Sequence, residues 1–357
     1  MSVLFAILLF SFLIFIHELG HFAAAKLSGV QVNEFALFMG PAIFKKQVGE
    51  TLYTIRSIPI GGYCAMEGED GDSDNPRSFQ KAAVWKRLVI LVAGAAMNFV
   101  AGLLLLAIVY APAQQFAVPV IDFFEEGCVL EAPNGQDFGF KVGDRILEID
   151  GEKVYTASDF SLLLSLNPGE IHDVTVLRSG ERVGMEGMLL RKAEFPDGNG
   201  GTSLRYGFNF SLEEATLTNK LDFVWKTALN TVRTVRLSLQ MLLTGQAGLS
   251  DMGGPVMIVD QMAEVADASP TALDALLNML YFGGFIAINL AVMNLLPIPA
   301  LDGGRVVGLL ITAAIEGVTR KKLDPKYEGY VHGAGMVLLL GLMAVIMFKD
   351  IFVVFKG

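Results

Sequence analysis

The 357 residues are 53% hydrophobic and only 18% charged, with a formal net charge of −10 and a mean hydropathy of +0.50. Soluble domains carry about 25% charged residues, so the composition excludes an ordinary soluble protein and points to a membrane protein. The acidic balance, with no basic stripe interleaved with aromatics, excludes a nucleic-acid role.

A helix needs about 20 apolar residues to cross the hydrocarbon core, and four segments qualify. The first runs from Ser2 to Leu27. Its start, MSVLFAILLFSFLIFIHELGHF, has no basic leader and no small-residue cleavage site, so it reads as a retained first span rather than a signal peptide. Residues 28–82 form a mixed segment. Its part TLYTIRSIPIGGYCAMEGED alternates polar and apolar residues around Gly61-Gly62, which predicts a strand pair. The segment then turns acidic with Glu67, Glu69, Asp70, Asp72 and Asp74, read as a solvated, mobile loop. The second span is expected from Ala83 to Tyr110.

About 160 residues of soluble-domain composition follow. Short strand patterns, turn signals and one short helix, ASDFSLLLSL, occupy Val118 to Arg191. From Asn219 to Leu243 the pattern is amphipathic, with Leu221, Val224, Ala228, Val232, Val235, Leu239 and Leu242 on one face. Such a helix suits the membrane surface or a place packed on the soluble domain. The third and fourth spans are expected from Leu273 to Leu296 and from Val331 to Phe355.

Orientation follows from the basic loops. Arg305, Arg320, Lys321, Lys322 and Lys326 lie between spans three and four, and Lys26, Lys45, Lys46, Lys81, Lys86 and Arg87 flank spans one and two. This predicts both termini and the soluble domain outside, with the basic loops in the cytoplasm. Cys64 and Cys128 then lie on opposite sides of the membrane and read as two unrelated free thiols.

Within the first span stands His17-Glu18-Leu19-Gly20-His21. Residues at i and i+4 share a helix face, so both imidazoles can reach one metal ion. The adjacent glutamate is placed to take a proton from an attacking water. At this composition a His-carboxylate-x-x-His match arises by chance roughly 0.005 times. A pair of satisfied core histidines is the plainer alternative. It is weak here, because ionisable groups in a membrane helix cost roughly 2.5–3.5 kcal/mol each and mark functional sites. Catalytic zinc takes three protein ligands and keeps one open position, so one ligand is missing. His172 falls in the soluble domain and His332 starts the fourth span. Asp302, in NLLPIPALDGGRV at 294–306, is the better candidate. It follows the third span, and its prolines and paired glycines force irregular backbone, tolerated at membrane depth only where buried or lining a watery cavity. An ordinary helix-capping turn is the alternative for that stretch.

These motifs resemble the site-2 protease family of intramembrane zinc metalloproteases, most closely its bacterial RseP type. HELGH, FALFMGP at 35–41, IPIGGYCAMEGED at 58–70, RLVILVAGAAMNFVAG at 87–102 and NLLPIPALDGGR at 294–305 match in order over nearly the whole chain. The stretch GGPVMIVDQMAE at 253–264 also matches, whereas Ala95-Ala96 stands where the family commonly has glycine-proline. The resemblance implies one Zn2+ per chain on His17, His21 and Asp302, with Glu18 as general base. It implies that Asn294 helps hold the substrate or polarise its carbonyl. It also implies a cytoplasm-side, membrane-dipping β-hairpin in which Gly61, Gly62 and Tyr63 pair with extended substrate; a plain hairpin turn at Gly61-Gly62 is the alternative. GFKVGDRILEIDGEKV, residues 139–154, resembles a single PDZ domain, with a generic small β-domain as the alternative.

The expected fold is a polytopic α-helical membrane protein of four transmembrane helices with an inserted extracytoplasmic PDZ-like domain. Its parts are a first membrane half at 1–112, the PDZ-like domain at 113–215, an amphipathic helix and linker at 216–272, and a second membrane half at 273–357. The implied activity is proteolysis, in the bacterial inner membrane, of single-span membrane proteins such as anti-sigma factors or remnant signal peptides. A first extracytoplasmic cut by another protease would precede it, with the soluble domain acting as a size filter. Two other classes remain in view. A non-catalytic PDZ scaffold would have lost ligands or Glu18, all present here. An ion transporter would show inverted repeats or a second broken helix, and none is visible.

Overall fold

The computed structural model describes every residue except 1, 70, 72, 132–137, 168, 197–200, 249–252, 321–325 and 357. Asp70 and Asp72 of the acidic loop and Lys321 and Lys322 of the basic loop therefore lie outside the described residues. The chain divides into two compact units, residues 1–109 with 231–357, and residues 110–230. Among the described residues, four helices are long and apolar enough to cross a membrane.

The first unit starts with α1 (Ser2–Ser28), an unbroken apolar helix that carries HELGH in its second half. Gly29 (φ +81) ends it, and the Val30 amide donates back to the Ala25 carbonyl at 2.9 Å. Two long strands follow, β1 (Val32–Val48) and β2 (Thr51–Met66), joined by a tight turn at Gly49-Glu50. The predicted strand pair is present, but Gly61-Gly62 lies inside β2 and is not its turn. Both strands bend, so that Glu34–Leu37 partners Gly62–Ala65 on one side and Leu52–Ile55 on the other. Gly62–Met66 is thereby left at the sheet edge. Phe35, Cys64 and Met66 pack with Ala24 and Ala25 of α1 into one core, with Phe15 and Phe22 against it.

The acidic loop is more ordered than its composition suggests. Glu67 accepts from Asn33 at 2.7 Å and Ser73 at 2.5 Å, and Glu69 pairs with Arg305. Next comes α2 (Val84–Tyr110), whose one buried polar side chain is Asn98.

In the second unit, β3 (Gln115–Phe124), β4 (Arg145–Ile149), β5 (Glu152–Lys153), α3 (Ala157–Leu166), β6 (Ile171–Arg178), β7 (Glu181–Leu189), β8 (Ala193–Pro196), β9 (Thr202–Arg205) and β10 (Phe208–Glu214) follow in order. The main sheet has the order β10-β3-β4-β6-β7, with β5 hairpinned on β4 and β8-β9 as a separate pair. Asp150 (φ +51) and Gly151 (φ +78) form that hairpin's turn, the left-handed pair a two-residue connection demands. Phe140 and Phe160 fill the core beside Ile146, Ile149, Val174 and Val176. A reciprocal Thr156–Asp159 cap starts α3. The first half of α4 (Leu217–Thr244) packs on this β-rich unit, where Phe223 stacks on Phe116 with centroids 4.2 Å apart.

The chain re-enters the first unit within α4 and continues through α5 (Pro255–Asp267), α6 (Ala272–Asn294), α7 (Asp302–Thr319) and α8 (Lys326–Lys356). A Cβ on Gly102 of α2 would strike Ile288 and the Gly284 carbonyl of α6, the small-residue contact that lets membrane helices approach closely. Ala6, Leu9 and Leu13 of α1 join Met262, Ile286 and Ala287 in a second core. The stretch after Asp302, read from sequence as a short loop, is an 18-residue helix.

Candidate metal centre

Three side chains from opposite ends of the chain converge. His17 Nε2 lies 3.1 Å from Asp302 Oδ2 and 3.1 Å from His21 Nε2, and His21 Nε2 lies 3.4 Å from Asp302 Oδ2. Among the described residues this is the one group of three or more His, Cys, Asp or Glu side chains whose ligand atoms all lie within 4.8 Å of one another.

Each member is placed by its own local logic. One helical turn of α1 separates the two imidazoles, whose centroids stand 4.7 Å apart. The Nδ1–H of buried His21 donates to the Ile90 carbonyl of α2 at 2.8 Å. That bond fixes the tautomer and leaves Nε2 as a bare lone pair facing the other two ligand atoms. Asp302 is the first residue of α7, after an extended Leu301 (φ −98, ψ 161). Gly303 and Gly304 follow because a Cβ at either would enter the backbone of Leu295, Leu296 and Ile298. The irregular loop before them is pinned by α8. The Ala300 amide donates to His332 Nδ1 at 3.1 Å, and Gly335 sits against Pro299.

The donor set fits a zinc ion. Lone pairs on two nitrogens and a carboxylate oxygen confront each other at near-contact distance, and Asp302 Oδ2 is buried with no hydrogen-bond partner. Without a cation between them these groups repel. Two imidazoles and one carboxylate also form a three-ligand set that leaves a fourth position open. Space for the rings comes from Gly94 of α2, where a Cβ would overlap both imidazoles.

The other predicted residues lie around this cluster or away from it. Glu18 is half-buried on α1, and its Cγ would be 3.7 Å from a Cβ built on Gly62, so the carboxylate stands beside the edge of β2. Gly61 (φ +81) adopts a left-handed conformation that favours glycine. Tyr63 is held through its hydroxyl by Arg56, which also bonds Glu34 at 2.7 Å and the Gly40 carbonyl at 2.6 Å. Burial would raise the Glu34 carboxyl, but bonds from Thr54, Arg56 and Tyr63 hold it below the usual carboxylate range. Asn294 ends α6 with its amide nitrogen 3.4 Å from His17 Nδ1. Beside it an open groove of about 550 Å³ is lined by Val232, Leu239 and Leu243 of α4 and by Val292 and Leu296, with Arg236, Gln240 and Thr244 also on its α4 wall.

His332 serves the loop carrying Asp302, and His172 is spent structurally. It is 2% exposed, with Nδ1 bonded to Asp150 at 2.7 Å and Nε2 to the Gly169 carbonyl at 2.8 Å. Sequence reasoning missed three contributions from α2: the Ile90 carbonyl, Gly94 and Asn98. Their spacing of four residues, opposite that of the histidines, was the available signal.

Residues 5–342 match the description of peptidase family M50. A protein of Clostridium perfringens named provisionally as a zinc metalloprotease is 36% identical over 98% of both chains. One so named from Synechocystis is 33% identical, over 98% of this chain and 94% of its own. The regulator of sigma-W protease RasP of Bacillus subtilis is 26% identical over 97% of both.

Proposed function

This chain belongs to peptidase family M50 and is a membrane zinc metalloprotease, and on that premise we propose that it cuts single-span membrane proteins within the bilayer at His17, His21 and Asp302. One zinc per chain is held by these three side chains. The observation that carries the reading is the trio of mutually facing ligand atoms, two of them on a helix long and apolar enough to span a membrane.

Zinc bound there supplies a Lewis acid that polarises the scissile carbonyl and makes water a nucleophile near neutral pH. Glu18 accepts the proton from the attacking water and delivers it to the leaving amine. A helical substrate conceals its peptide bonds, so it must first be extended. The unpaired edge at Gly62–Met66, next to Glu18, offers it a strand to join. Gly62 and Tyr63 stand on that edge, Gly61 makes the bend that leads into it, and Asn294 grips the substrate backbone. The groove between α4 and α6 suits an apolar segment of the same substrate.

By analogy with the relative named as a sigma-factor regulator, the substrates are anti-sigma factors or remnant signal peptides, cut after a first extracytoplasmic cleavage. The β-rich unit is a PDZ-like domain outside the cytoplasm that admits trimmed substrates. The site opens to the cytoplasmic side of the inner membrane, with both termini outside.

The test is cleavage of a tagged, pre-trimmed single-span substrate by wild-type and Glu18→Gln protein, with zinc measured in each. The expected result is a fall of about 10³-fold in the variant with zinc retained, within the range for a lost general base. Equal cleavage by both would remove Glu18 from the mechanism.

A further inference from the structure

Asn98 is 1% exposed in an otherwise apolar face of α2, and its Oδ1 has no hydrogen-bond partner. Its amide nitrogen stands 3.5 Å from His17 Nδ1, where the Asn294 amide nitrogen also points from 3.4 Å. One ring nitrogen has a single lone pair or a single hydrogen, so it cannot serve two amide donors. If Nε2 faces the metal, Nδ1 carries the proton and needs an acceptor.

A half-turn of one amide resolves both conflicts, since the oxygen and nitrogen ends of an Asn side chain are nearly the same shape. Turned so, Asn98 Oδ1 gains the partner it lacks and His17 Nδ1–H gains its acceptor. Asn294 is only half-buried, and its oxygen is not among the enclosed atoms that lack a partner, so the need is weaker there. The register of the two helices supports the same assignment. Ile90, Gly94 and Asn98 recur every four residues on α2, opposite His21 and His17 at the same interval on α1. Ile90 receives His21, Gly94 clears space for both rings, and Asn98 receives His17.

We infer that Asn98 is the positioning residue of His17, accepting its Nδ1–H and holding Nε2 toward the metal as the Ile90 carbonyl does for His21. Asn294 is thereby free to turn its amide to the substrate. This inference rests on the metal reading above.

Zinc affinity of the detergent-solubilised full chain, measured by competition with a chelating dye, tests it without recourse to activity. Asn98→Leu keeps the branched shape, with two methyl groups in place of the amide ends, and removes the acceptor. It should weaken zinc binding about 10–100-fold, the usual cost of a lost second-shell partner, while the zinc-free protein melts no lower than wild type. Asn98→Asp keeps an acceptor and should bind zinc within about threefold of wild type, as carboxylate–histidine pairs do. Asn294→Ala should leave zinc affinity unchanged. Wild-type affinity in Asn98→Leu overturns the inference. So does equal loss in Asn98→Leu and Asn98→Asp, which would signify packing alone, and so does a larger loss in Asn294→Ala. A wild-type protein that binds no zinc at all removes the metal reading itself and this inference with it.

Discussion

The two units treat buried polar side chains in opposite ways. In the β-rich unit the buried side chains of Asp144, Asp159 and His172 are fully bonded. Asp159 takes the amides of Tyr155 and Thr156, Asp144 takes the Lys141 amide and the Arg178 guanidinium, and both nitrogens of His172 are bonded. In the membrane unit His17, His21, Asn98 and Asp302 lie together with valences turned toward one another, and Oδ1 of Asn98 and Oδ2 of Asp302 have no partner. A buried imidazole is thus a structural part where its second nitrogen is filled and a candidate ligand where it is not. Burial alone does not separate the two, since His21 at 8% and His172 at 2% are both enclosed.

Exchanging the same residue in the two units breaks this comparison most sharply. His21→Ala should weaken zinc binding by more than ~100-fold, beyond the cost of any second-shell loss. His172→Ala should leave zinc bound and lower the unfolding free energy of the β-rich unit by about 1–3 kcal/mol, the cost of stranding its partners. Zinc titration and thermal melting on both variants suffice, and a reversed pattern would dissolve the distinction. Next in size is Gly94→Ala, whose methyl group displaces both rings. Cleavage should fall about 100-fold, the scale of a 1 Å misplacement, with helix content unchanged by circular dichroism.

A smaller effect comes from the edge of β2. Gly61→Val forces a branched side chain into a left-handed backbone costing about 1–2 kcal/mol. The expected result is a KM about tenfold higher with zinc affinity intact. An unchanged KM would remove the strand from substrate binding.

The smallest effect tests a saturated group within the membrane unit. Bonds from Arg77 and Lys26 lower the Glu50 carboxyl from 4.5 to about 2 in the β1–β2 turn. The folded value is depressed, so the contribution is complete above pH 4.5 and fades as pH falls toward 2. Glu50→Gln should abolish that acid dependence in amide exchange of the turn.

Much of this was legible in one dimension. HELGH declares itself because i and i+4 coincide on any helix, and four apolar runs of spanning length declare themselves by hydropathy. Asp302 was legible because prolines and paired glycines beside a span need a reason. What escaped depends on which helix meets which. Gly94 is one of many glycines in an apolar helix until His17 and His21 are set against it, and Asn98 is an isolated amide until Ile90 is seen doing the matching task. A plain turn at Gly61-Gly62 is the alternative that clustered glycines offer, but Gly49-Glu50 makes the turn. Gly61 serves a bend within one strand instead. The helix after Asp302 was hidden by reading the basic residues from Arg305 to Lys326 as a loop, and the acidic stretch looked mobile because Glu69's partner Arg305 lies 236 residues away.

The separation of the converging groups has a consequence for how the protein is made. Asn294 reaches His17 across 277 residues, and Asp302 comes later still. During synthesis the nascent chain therefore inserts both histidines and Glu18 into the bilayer long before the carboxylate that would complete their cluster exists. A chain that ends before α7 would carry the two histidines and Glu18 without Asp302, so the three-residue cluster exists only once the whole membrane unit has been made.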